Sequence, residues 1–103
     1  MVGPKQGDIY WVETEQNRRP VLVVTRTQAV PVLNRLIVAP ITRTIRGIPT
    51  EISLDSDQGL RDPSAASFDN LELVPRVRLT EKLGSIPNAE HEICRALGAM
   101  ADC

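Results

Sequence analysis

Arginine and threonine residues mark the ends of two apolar segments in the first half of the chain. The segment 19–25 reads Arg-Pro-Val-Leu-Val-Val-Thr, and the segment 35–42 reads Arg-Leu-Ile-Val-Ala-Pro-Ile-Thr. Arg18 and Arg19 stand where the first segment begins, and Thr42 stands where the second ends. Guanidinium groups bind oxyanions in a fixed fork geometry, and hydroxyl groups add a further donor. If the two segments are neighbouring strands, these residues predict an anion-binding site at their rims.

The chain lacks the residues that several other chemistries require. His91 is its only histidine, so one chain offers neither a paired-histidine nuclease mechanism nor a histidine-based zinc site. It contains no P-loop, no dinucleotide fingerprint and no nucleophile elbow. Cys94 falls beside the apolar stripe of a predicted helix, which favours packing over a nucleophilic role. Asp55, Asp57 and Asp62 share one predicted turn but do not follow the EF-hand pattern. We therefore expect neither a metal nor an organic cofactor.

What remains is a chemistry carried by arginine, a hydroxyl group and one carboxylate. Cleavage of RNA by its own 2′-hydroxyl suits this set, because the substrate supplies the nucleophile. The protein then has to orient that hydroxyl and stabilise the charge that develops on phosphorus. The charge distribution agrees with an anionic partner, since residues 1–50 hold seven of the twelve basic residues and three of the thirteen acidic ones. Aromatic residues make up only 3%, which argues against RNA-binding modules that stack bases on aromatic rings.

Hydrophobic periodicity predicts a β-rich domain that ends in one helix. Strands are expected over six segments: 9–13, 19–27, 35–42, 50–54, 64–68 and 82–86. The two long apolar strands should be buried on both faces, and Pro40 places the second at a sheet edge or at a bulge. A helical turn is expected over 75–80, and a helix follows Asn88 as its N-cap. An apolar stripe should dock this helix: Ile93, Ala96, Leu97 and Met100.

The length and the order of these elements limit the architecture. At 103 residues the chain should form a single domain, 1–103. Many short strands followed by one helix indicate a small curled antiparallel sheet or barrel of the α+β class, mainly β. No apolar run approaches the length of a membrane span, and the N-terminal residues lack a signal-peptide pattern. We therefore expect a cytoplasmic protein.

The order and spacing of several segments resemble the MazF/PemK family, the toxin half of bacterial type II toxin–antitoxin pairs. The matching segments cover nearly the whole chain: 7–12 (Gly-Asp-Ile-Tyr-Trp-Val), 19–24 (Arg-Pro-Val-Leu-Val-Val), 38–42 (Val-Ala-Pro-Ile-Thr), Ser64, 69–71 (Asp-Asn-Leu), 82–86 (Lys-Leu-Gly-Ser-Ile) and the closing helix. The resemblance implies an SH3-like barrel with a C-terminal helix, of the CcdB/PemK-like type, acting as a homodimer. It also implies sequence-specific, metal-independent cleavage of single-stranded RNA (mRNA, tRNA or rRNA) that leaves a 2′,3′-cyclic phosphate and a 5′-hydroxyl. A cognate MazE-like antitoxin would inhibit the enzyme by covering its RNA-binding surface.

The resemblance assigns the family's catalytic arginine to Arg19 and its catalytic threonine to Thr42. Because arginine stays protonated in proteins, Arg19 is expected to stabilise the negative phosphorane, and Thr42 to donate a hydrogen bond to a phosphate oxygen. Glu13, Glu15 or Asp69 could accept the 2′-hydroxyl proton, and the sequence does not choose among them. The candidate RNA contacts, each of which could instead be an ordinary surface or strand-end residue, are Arg18, Arg43, Arg46, Ser64, Asp69 and Asn70.

A second interpretation is a non-enzymatic toxin of the same fold that binds a protein target such as DNA gyrase. Such toxins need an exposed hydrophobic C-terminal anchor, whereas residues 101–103 read Ala-Asp-Cys and offer little of one. The loop between Trp11 and Arg19 is also several residues shorter than in many family members. Since loops on this face contact RNA and antitoxin, the cleavage motif and the cognate antitoxin do not follow from the resemblance.

Overall fold

The computed structural model describes residues 3–101, and the predictions made for residues 1–2 and 102–103 lie outside this range. Within it the regular elements are β1 (Asp8–Glu13), β2 (Arg18–Val23), β3 (Arg35–Thr42), β4 (Glu51–Leu54), β5 (Ser64–Ser67), β6 (Glu72–Pro75), β7 (Leu79–Ser85) and α1 (Ala89–Met100). Short 3-10 turns lie between them at Val30–Val32, Ser56–Gln58, Phe68–Asn70 and Arg76–Arg78. The last of these turns confirms the helical turn predicted within residues 75–80.

The strands form one curled antiparallel sheet. Their order is β4-β5-β3-β2-β1-β7, and β6 joins the sheet by pairing with β3. Two irregularities in the β1–β7 register, next to Ile9 and Trp11, increase the twist of this part of the sheet. The predicted fold class, a mainly β domain with a small curled antiparallel barrel and a C-terminal helix, is confirmed as a half-barrel. No helix within residues 3–101 is long and apolar enough to cross a membrane.

β3 is a central strand of the sheet. On one side it pairs with β2 from Val38 to Pro40, with Val21 opposite Pro40 and no shift in the register. On the other side its first half pairs with β6 as far as Val38, and its last two residues pair with β5 from Ile41 onward. The predicted sheet-edge or bulge position of Pro40 is therefore wrong. Pro40 is tolerated because it lies between these two pairings, where neither β6 nor β5 needs its missing N–H.

The strand boundaries differ most from the predicted ones at three places. β2 is shorter than predicted, because the backbone N–H groups of Val24 and Thr25 both donate to the carbonyl of Ile37 (2.9 and 3.3 Å), which is the pattern of a β-bulge. β6 has only four residues and ends in Pro75, which is too short a pattern to predict as a strand. β7 begins at Leu79, three residues before the predicted start.

The face of the sheet that packs against α1 carries the main hydrophobic core. Its central members are fully buried aliphatic and aromatic side chains: Ile9, Leu22, Ala39, Ala66, Phe68, Ile93 and Ala96. Full burial of one large apolar side chain contributes about 1.5–3 kcal/mol to stability. This core therefore holds β2, β3 and β5 in fixed relative positions, and the candidate site lies at the ends of these strands.

Two predictions for α1 are corrected by the structure, and a third, Asn88 as the N-cap, is confirmed in its position only. Met100 is 42% exposed, because only the earlier part of the apolar stripe around Ile93 packs on the sheet. Cys94 is exposed rather than packed, since the residue after Ile93 is turned about 100° away from the buried side of the helix. Asn88 precedes the helix in the left-handed conformation (φ 52°, ψ 43°), and its side chain makes no capping hydrogen bond. Its carbonyl accepts from the N–H of Glu92 at 3.0 Å.

The opposite face of the sheet, which we name the outer face, carries a smaller apolar cluster made by Val12, Val21, Val38 and Val74. Side chains two residues apart on a strand share a face, so Arg19 of β2, Glu72 of β6 and Thr42 of β3 also lie on the outer face. Residues 21–23 are fully buried as predicted, but Ile37 is 41% exposed. The prediction that β3 is buried on both faces is thus only partly correct, because α1 packs mainly on β4 and the Phe68–Asn70 turn.

Candidate active site

Arg19 and Glu72 form an ion pair on the outer face that spans β3. Arg19 belongs to β2 and Glu72 to β6, and these two strands pair with β3 from opposite sides. Nη1 of Arg19 donates to Oε2 of Glu72 at 2.8 Å, and Nη2 donates to Oε1. The two side chains are 36% and 35% exposed, so a ligand in solution can reach them.

The hydrogen bonds between Arg19 and Glu72 keep both groups charged. They raise the pKa of Arg19 above its usual value, while partial burial opposes this with a smaller effect. They lower the pKa of Glu72, again against a smaller effect of burial. Arg19 therefore stays protonated and can act on an anion as a donor but not as a base. Its guanidinium has five N–H donors, and the fork to Glu72 leaves the Nε edge available.

Thr42 ends β3 and lies half-buried where two surface grooves meet. Its Oγ1 accepts a hydrogen bond from the backbone N–H of Thr44 at 3.0 Å. A hydroxyl group has one donor hydrogen and two acceptor positions, so this contact leaves the hydrogen of Thr42 able to donate to a bound anion. Thr42 is the residue that the linings of both grooves share.

The first groove, which we name the Arg46 groove, has a volume of about 320 Å³. Its lining residues are mostly polar: Pro40, Thr42, Thr44, Arg46, Glu51, Ser67 and Asn70. The buried Glu51 carboxylate accepts from the backbone N–H groups of Arg46 and Gly47, both at 3.1 Å, which holds the basic loop against the sheet. Asn70 donates from Nδ2 to Oγ of Ser67 at 3.0 Å. Two predicted RNA contacts, Arg46 and Asn70, therefore lie beside Thr42.

The second groove, which we name the Trp11 groove, has a volume of about 390 Å³ and combines apolar and charged side chains. Its lining is Trp11, Pro20, Ile41, Thr42, Arg43, Gly59, Leu60, Arg61, Asp62, Ser64 and Leu83. The predicted contact Arg43 lies at this groove and pairs with Asp62 at 3.4 Å, but both side chains are largely exposed and the pair is weak. Ser64 also lines the groove, is buried, and donates to the carbonyl of Asp62 at 2.9 Å.

The predicted contacts Arg18 and Asp69 line neither groove. The guanidinium of Arg18 lies 4.4 Å from the ring centroid of Trp11 and contacts Glu81 at 2.6 Å and Glu13 at 3.3 Å. Asp69 accepts a hydrogen bond from Oγ1 of Thr50 at 2.7 Å. Of the three predicted proton acceptors, Glu13 is thus paired with Arg18, Asp69 is bonded to a threonine, and Glu15 lies exposed in the β1–β2 loop.

Sequence reasoning missed Glu72 as a site residue. The sequence carries little signal for it, because residues 72–75 read Glu-Leu-Val-Pro, which is too short and shows no alternation of polar and apolar residues. From the sequence, the turn that contains Asp55, Asp57 and Asp62 could be considered as a cation site. In the structure the carboxylate of Asp55 accepts a hydrogen bond from the backbone N–H of Asp57 at 2.9 Å, which stabilises the turn itself. Among residues 3–101, no three His, Cys, Asp or Glu side chains lie together as a metal ligand set.

Comparison with known proteins identifies the family. A family model described as PemK-like, MazF-like toxin of type II toxin–antitoxin system matches residues 5–100. The chain belongs to this toxin family. The toxin is 39% identical over 106 residues to the probable endoribonuclease MazF5 of Mycobacterium tuberculosis, with 97% of this chain and 94% of the relative covered.

Solved structures of the family agree with this fold. The Mycobacterium tuberculosis toxin MazF-mt6 is 36% identical to this toxin, with a TM-score of 0.81 over 90% of this chain and 95% of that one. A MazE-MazF structure from Deinococcus radiodurans is 25% identical, with a TM-score of 0.77 over 95% and 94% of the two chains. The predicted family, fold and enzyme class, an endoribonuclease, are confirmed. The names of these relatives favour the endoribonuclease over the gyrase-binding alternative.

Proposed function

We propose that this toxin cleaves single-stranded RNA without a metal ion, at a phosphate held between Arg19 and Thr42. The observation that carries the proposal is that a permanently charged guanidinium and a hydroxyl with an available hydrogen share the outer face, at the ends of β2 and β3. Both groups are donors, which is what a phosphate that gains negative charge requires. They lie at the rims of the two apolar segments, which is the position that motivates the anion-site hypothesis.

The proposed reaction is attack of the RNA 2′-hydroxyl oxygen on the adjacent phosphorus. The bond from phosphorus to the 2′-oxygen forms, and the bond to the 5′-oxygen of the next nucleotide breaks. The 2′-hydroxyl loses its proton to a carboxylate or water, and the leaving 5′-oxygen takes up a proton from water. The products are a 2′,3′-cyclic phosphate and a 5′-hydroxyl. Arg19 stabilises the charge on the phosphorane, and Thr42 donates to a non-bridging oxygen.

The two grooves suit the RNA on either side of the scissile phosphate. In the Trp11 groove, the indole and the side chains of Leu60 and Leu83 form an apolar surface for a base, and Arg43 lies beside it. In the Arg46 groove, polar groups dominate. Contacts from arginine to phosphates make RNA affinity fall as salt concentration rises. Contacts to phosphates carry no sequence information, whereas contacts to a base do. The sequence preference of cleavage should therefore depend mainly on the Trp11 groove, where we expect a base to bind.

The proposal is tested by incubating the purified toxin with single-stranded RNA in excess EDTA. Arg19→Ala and Thr42→Ala should each lower the cleavage rate by about 10²–10³-fold, the usual cost of losing one donor to a developing oxyanion. Arg26→Ala, an exposed arginine beyond the other end of β2, and Thr80→Ala, an exposed threonine of β7, are the matched controls. Absence of cleavage by the wild type, or undiminished cleavage by both site variants, contradicts the proposal. Mapping the 5′-hydroxyl ends of the products gives the cleavage motif.

We also propose that the toxin acts in the cytoplasm and is inhibited by a MazE-like antitoxin that covers the grooves. The Deinococcus radiodurans MazE-MazF structure supports an antitoxin partner, and the arginines at both grooves would attract an acidic segment. Addition of the cognate antitoxin should abolish RNA cleavage and protect Arg43 and Arg46 from chemical modification. Inhibition without protection of these two arginines would mean that the antitoxin binds elsewhere.

We further propose that the toxin is a homodimer that associates through an exposed apolar surface, the β3–β6 patch. Its members are Val32, Leu33, Ile37, Leu73 and Val77, with exposures of 79%, 42%, 41%, 63% and 84%. The register brings them together, since Ile37 is opposite Leu73. Contiguous exposed apolar residues of this kind are typical of protein interfaces. Leu73→Glu should convert the dimer to a monomer in light scattering, whereas Met100→Glu, at an exposed apolar residue of α1, should not.

A further inference from the structure

The contact between Arg19 and Glu72 differs from the other ion pairs of residues 3–101. It is the pair in which both carboxylate oxygens are engaged by one guanidinium. The other arginine–carboxylate pairs, such as Arg95 with Glu92 at 3.2 Å, use a single oxygen. The two residues are separated by 53 positions in the chain and meet above β3. A two-point contact between rigid strands fixes the plane of the guanidinium, which a single contact does not.

We propose that Glu72 is a positioning residue: it fixes the guanidinium of Arg19 in the orientation that the RNA phosphorane requires. This inference rests on the proposed RNA cleavage. The fork occupies the outer edge of the guanidinium and leaves the Nε edge for a phosphate oxygen. Because Glu72 is only 35% exposed and lies on a paired strand, it can hold this arrangement while substrate binds.

Glu72 is poorly suited to serve as the proton acceptor instead. Its hydrogen bonds to Arg19 lower its pKa, and a carboxylate with a depressed pKa takes up a proton reluctantly at neutral pH. Its two oxygens already accept from Arg19. A role through Arg19 therefore fits the geometry better than direct contact with the reacting 2′-hydroxyl.

Such a residue should affect binding and turnover in opposite directions. The negative charge of Glu72 opposes the approach of a phosphate. The electrostatic attraction between the Arg19 guanidinium and that phosphate varies only slowly with distance and angle. Hydrogen bonds to a phosphorane oxygen depend steeply on angle. Removal of Glu72 should therefore tighten RNA binding, because a negative charge is lost, and slow turnover, because Arg19 is no longer held in place.

The experiment compares Glu72→Gln, Glu72→Asp and Glu72→Ala with the wild type. Cleavage of single-stranded RNA gives kcat and KM, and 2′-O-methyl RNA, which lacks the nucleophile, gives the binding constant. For Glu72→Gln we expect kcat to fall by about tenfold or more and the KM and the Kd to fall by roughly two- to fivefold. Glu72→Asp keeps the charge, so its Kd should match the wild type while its shorter side chain restores kcat only in part.

The matched control is Glu92→Gln on α1. Glu92 is 34% exposed and pairs with Arg95, so this variant removes the same charge from an arginine–glutamate pair outside the site. Its kcat, KM and Kd should equal those of the wild type. Circular dichroism at the assay temperature should show that each variant is folded, which excludes a loss of folded protein as the cause. Glu72→Gln and Glu72→Asp carry the test if Glu72→Ala does not fold.

Two outcomes overturn the proposal and differ from each other. If the wild type cleaves RNA, Arg19→Ala is inactive, and the Glu72 variants keep the wild-type kcat or exceed it, the positioning role is wrong and the proposed function stands. If the wild type does not cleave RNA at all, the proposed function fails and the role of Glu72 fails with it.

Discussion

Replacement of Thr42 by valine tests whether its hydroxyl group, rather than its shape, is needed for RNA cleavage. Valine has the same branched outline as threonine, so the packing at the end of β3 is retained. The substitution removes the acceptor for the Thr44 N–H at 3.0 Å and the hydrogen that we assign to a phosphate oxygen. Thr42→Ser keeps both functions and removes only a methyl group.

The expected effects on stability and on activity are of different size. The bond to Thr44 lies at an exposed position, where water can replace the lost acceptor, so we expect a loss of at most about 1 kcal/mol in the free energy of unfolding. That corresponds to a decrease of about 4–8 °C or less in Tm for a domain of this size. The loss of a donor to the developing oxyanion is expected to cost about 3–4 kcal/mol of transition-state stabilisation, or about 10²–10³-fold in kcat.

The assay is cleavage of a fluorogenic single-stranded RNA in EDTA, with Tm measured on the same samples. Thr42→Ser should retain kcat within about tenfold of the wild type, since its hydroxyl can occupy the same position but rotates more freely. Thr80→Val, at an exposed threonine of β7, controls for the loss of a hydroxyl elsewhere. A Thr42→Val enzyme with kcat within threefold of the wild type would refute the assignment of the hydroxyl to the phosphorane. A rise in KM with kcat unchanged would refute it as well, because it would place the contact in the ground state.

Three further predictions concern stability. Gly98→Ala should raise the free energy of unfolding by about 0.5–1 kcal/mol, because Gly98 lies in α1 and a Cβ there would meet open space. Gly59→Ala should lower it by more than about 1 kcal/mol, because Gly59 has φ +87° and a Cβ would lie 2.3 Å from a carbonyl oxygen of β7. Chemical denaturation that ranks the two variants in the opposite order contradicts this prediction. Phe68→Ala should cost about 3–5 kcal/mol, since this ring is fully buried in the main core, and a loss below 1 kcal/mol would mean that the core closes around the cavity. Glu72→Gln should be less stable than the wild type by about 0.2–1 kcal/mol at pH 7. Because Arg19 lowers the pKa of the Glu72 carboxyl below its usual value of 4.5, the difference should begin to shrink below pH 4.5 and be lost as the pH falls through the lowered pKa of the folded state. A difference that is undiminished at pH 3 would refute the charge contribution.

Local patterns predicted most of the elements that carry the candidate site. The strand 35–42 has the predicted bounds, because six consecutive apolar residues, three of them β-branched, stand between Arg35 and Thr42 and favour a buried strand. The helix likewise begins after Asn88 as predicted. The four-residue strand β6 was missed, since so short a segment forms a strand only when a neighbour supplies its hydrogen bonds.

The side of the strand on which each residue lies could be predicted, but its partners could not. Period-two alternation determines that Arg19 and Val21 share a face. Which strands flank β3 is decided by pairing between segments far apart in the chain, and these pairings place β6 beside the first half of β3 and β5 beside its end. The wrong prediction for Pro40 has the same origin, because a proline pattern does not reveal a change of partner along one side of a central strand.

The sequence by itself determined the candidate chemistry of this protein. The scarcity of histidine, the arginines around two apolar segments and the threonine that ends the second segment predict an anion-binding, arginine-based site. Only the tertiary structure decided that Arg19 is held by Glu72, 53 positions away, across β3, and that Thr42 joins two grooves. Residue types and their local periodicity are properties of short segments, whereas contacts across a strand depend on the register and order of the whole sheet.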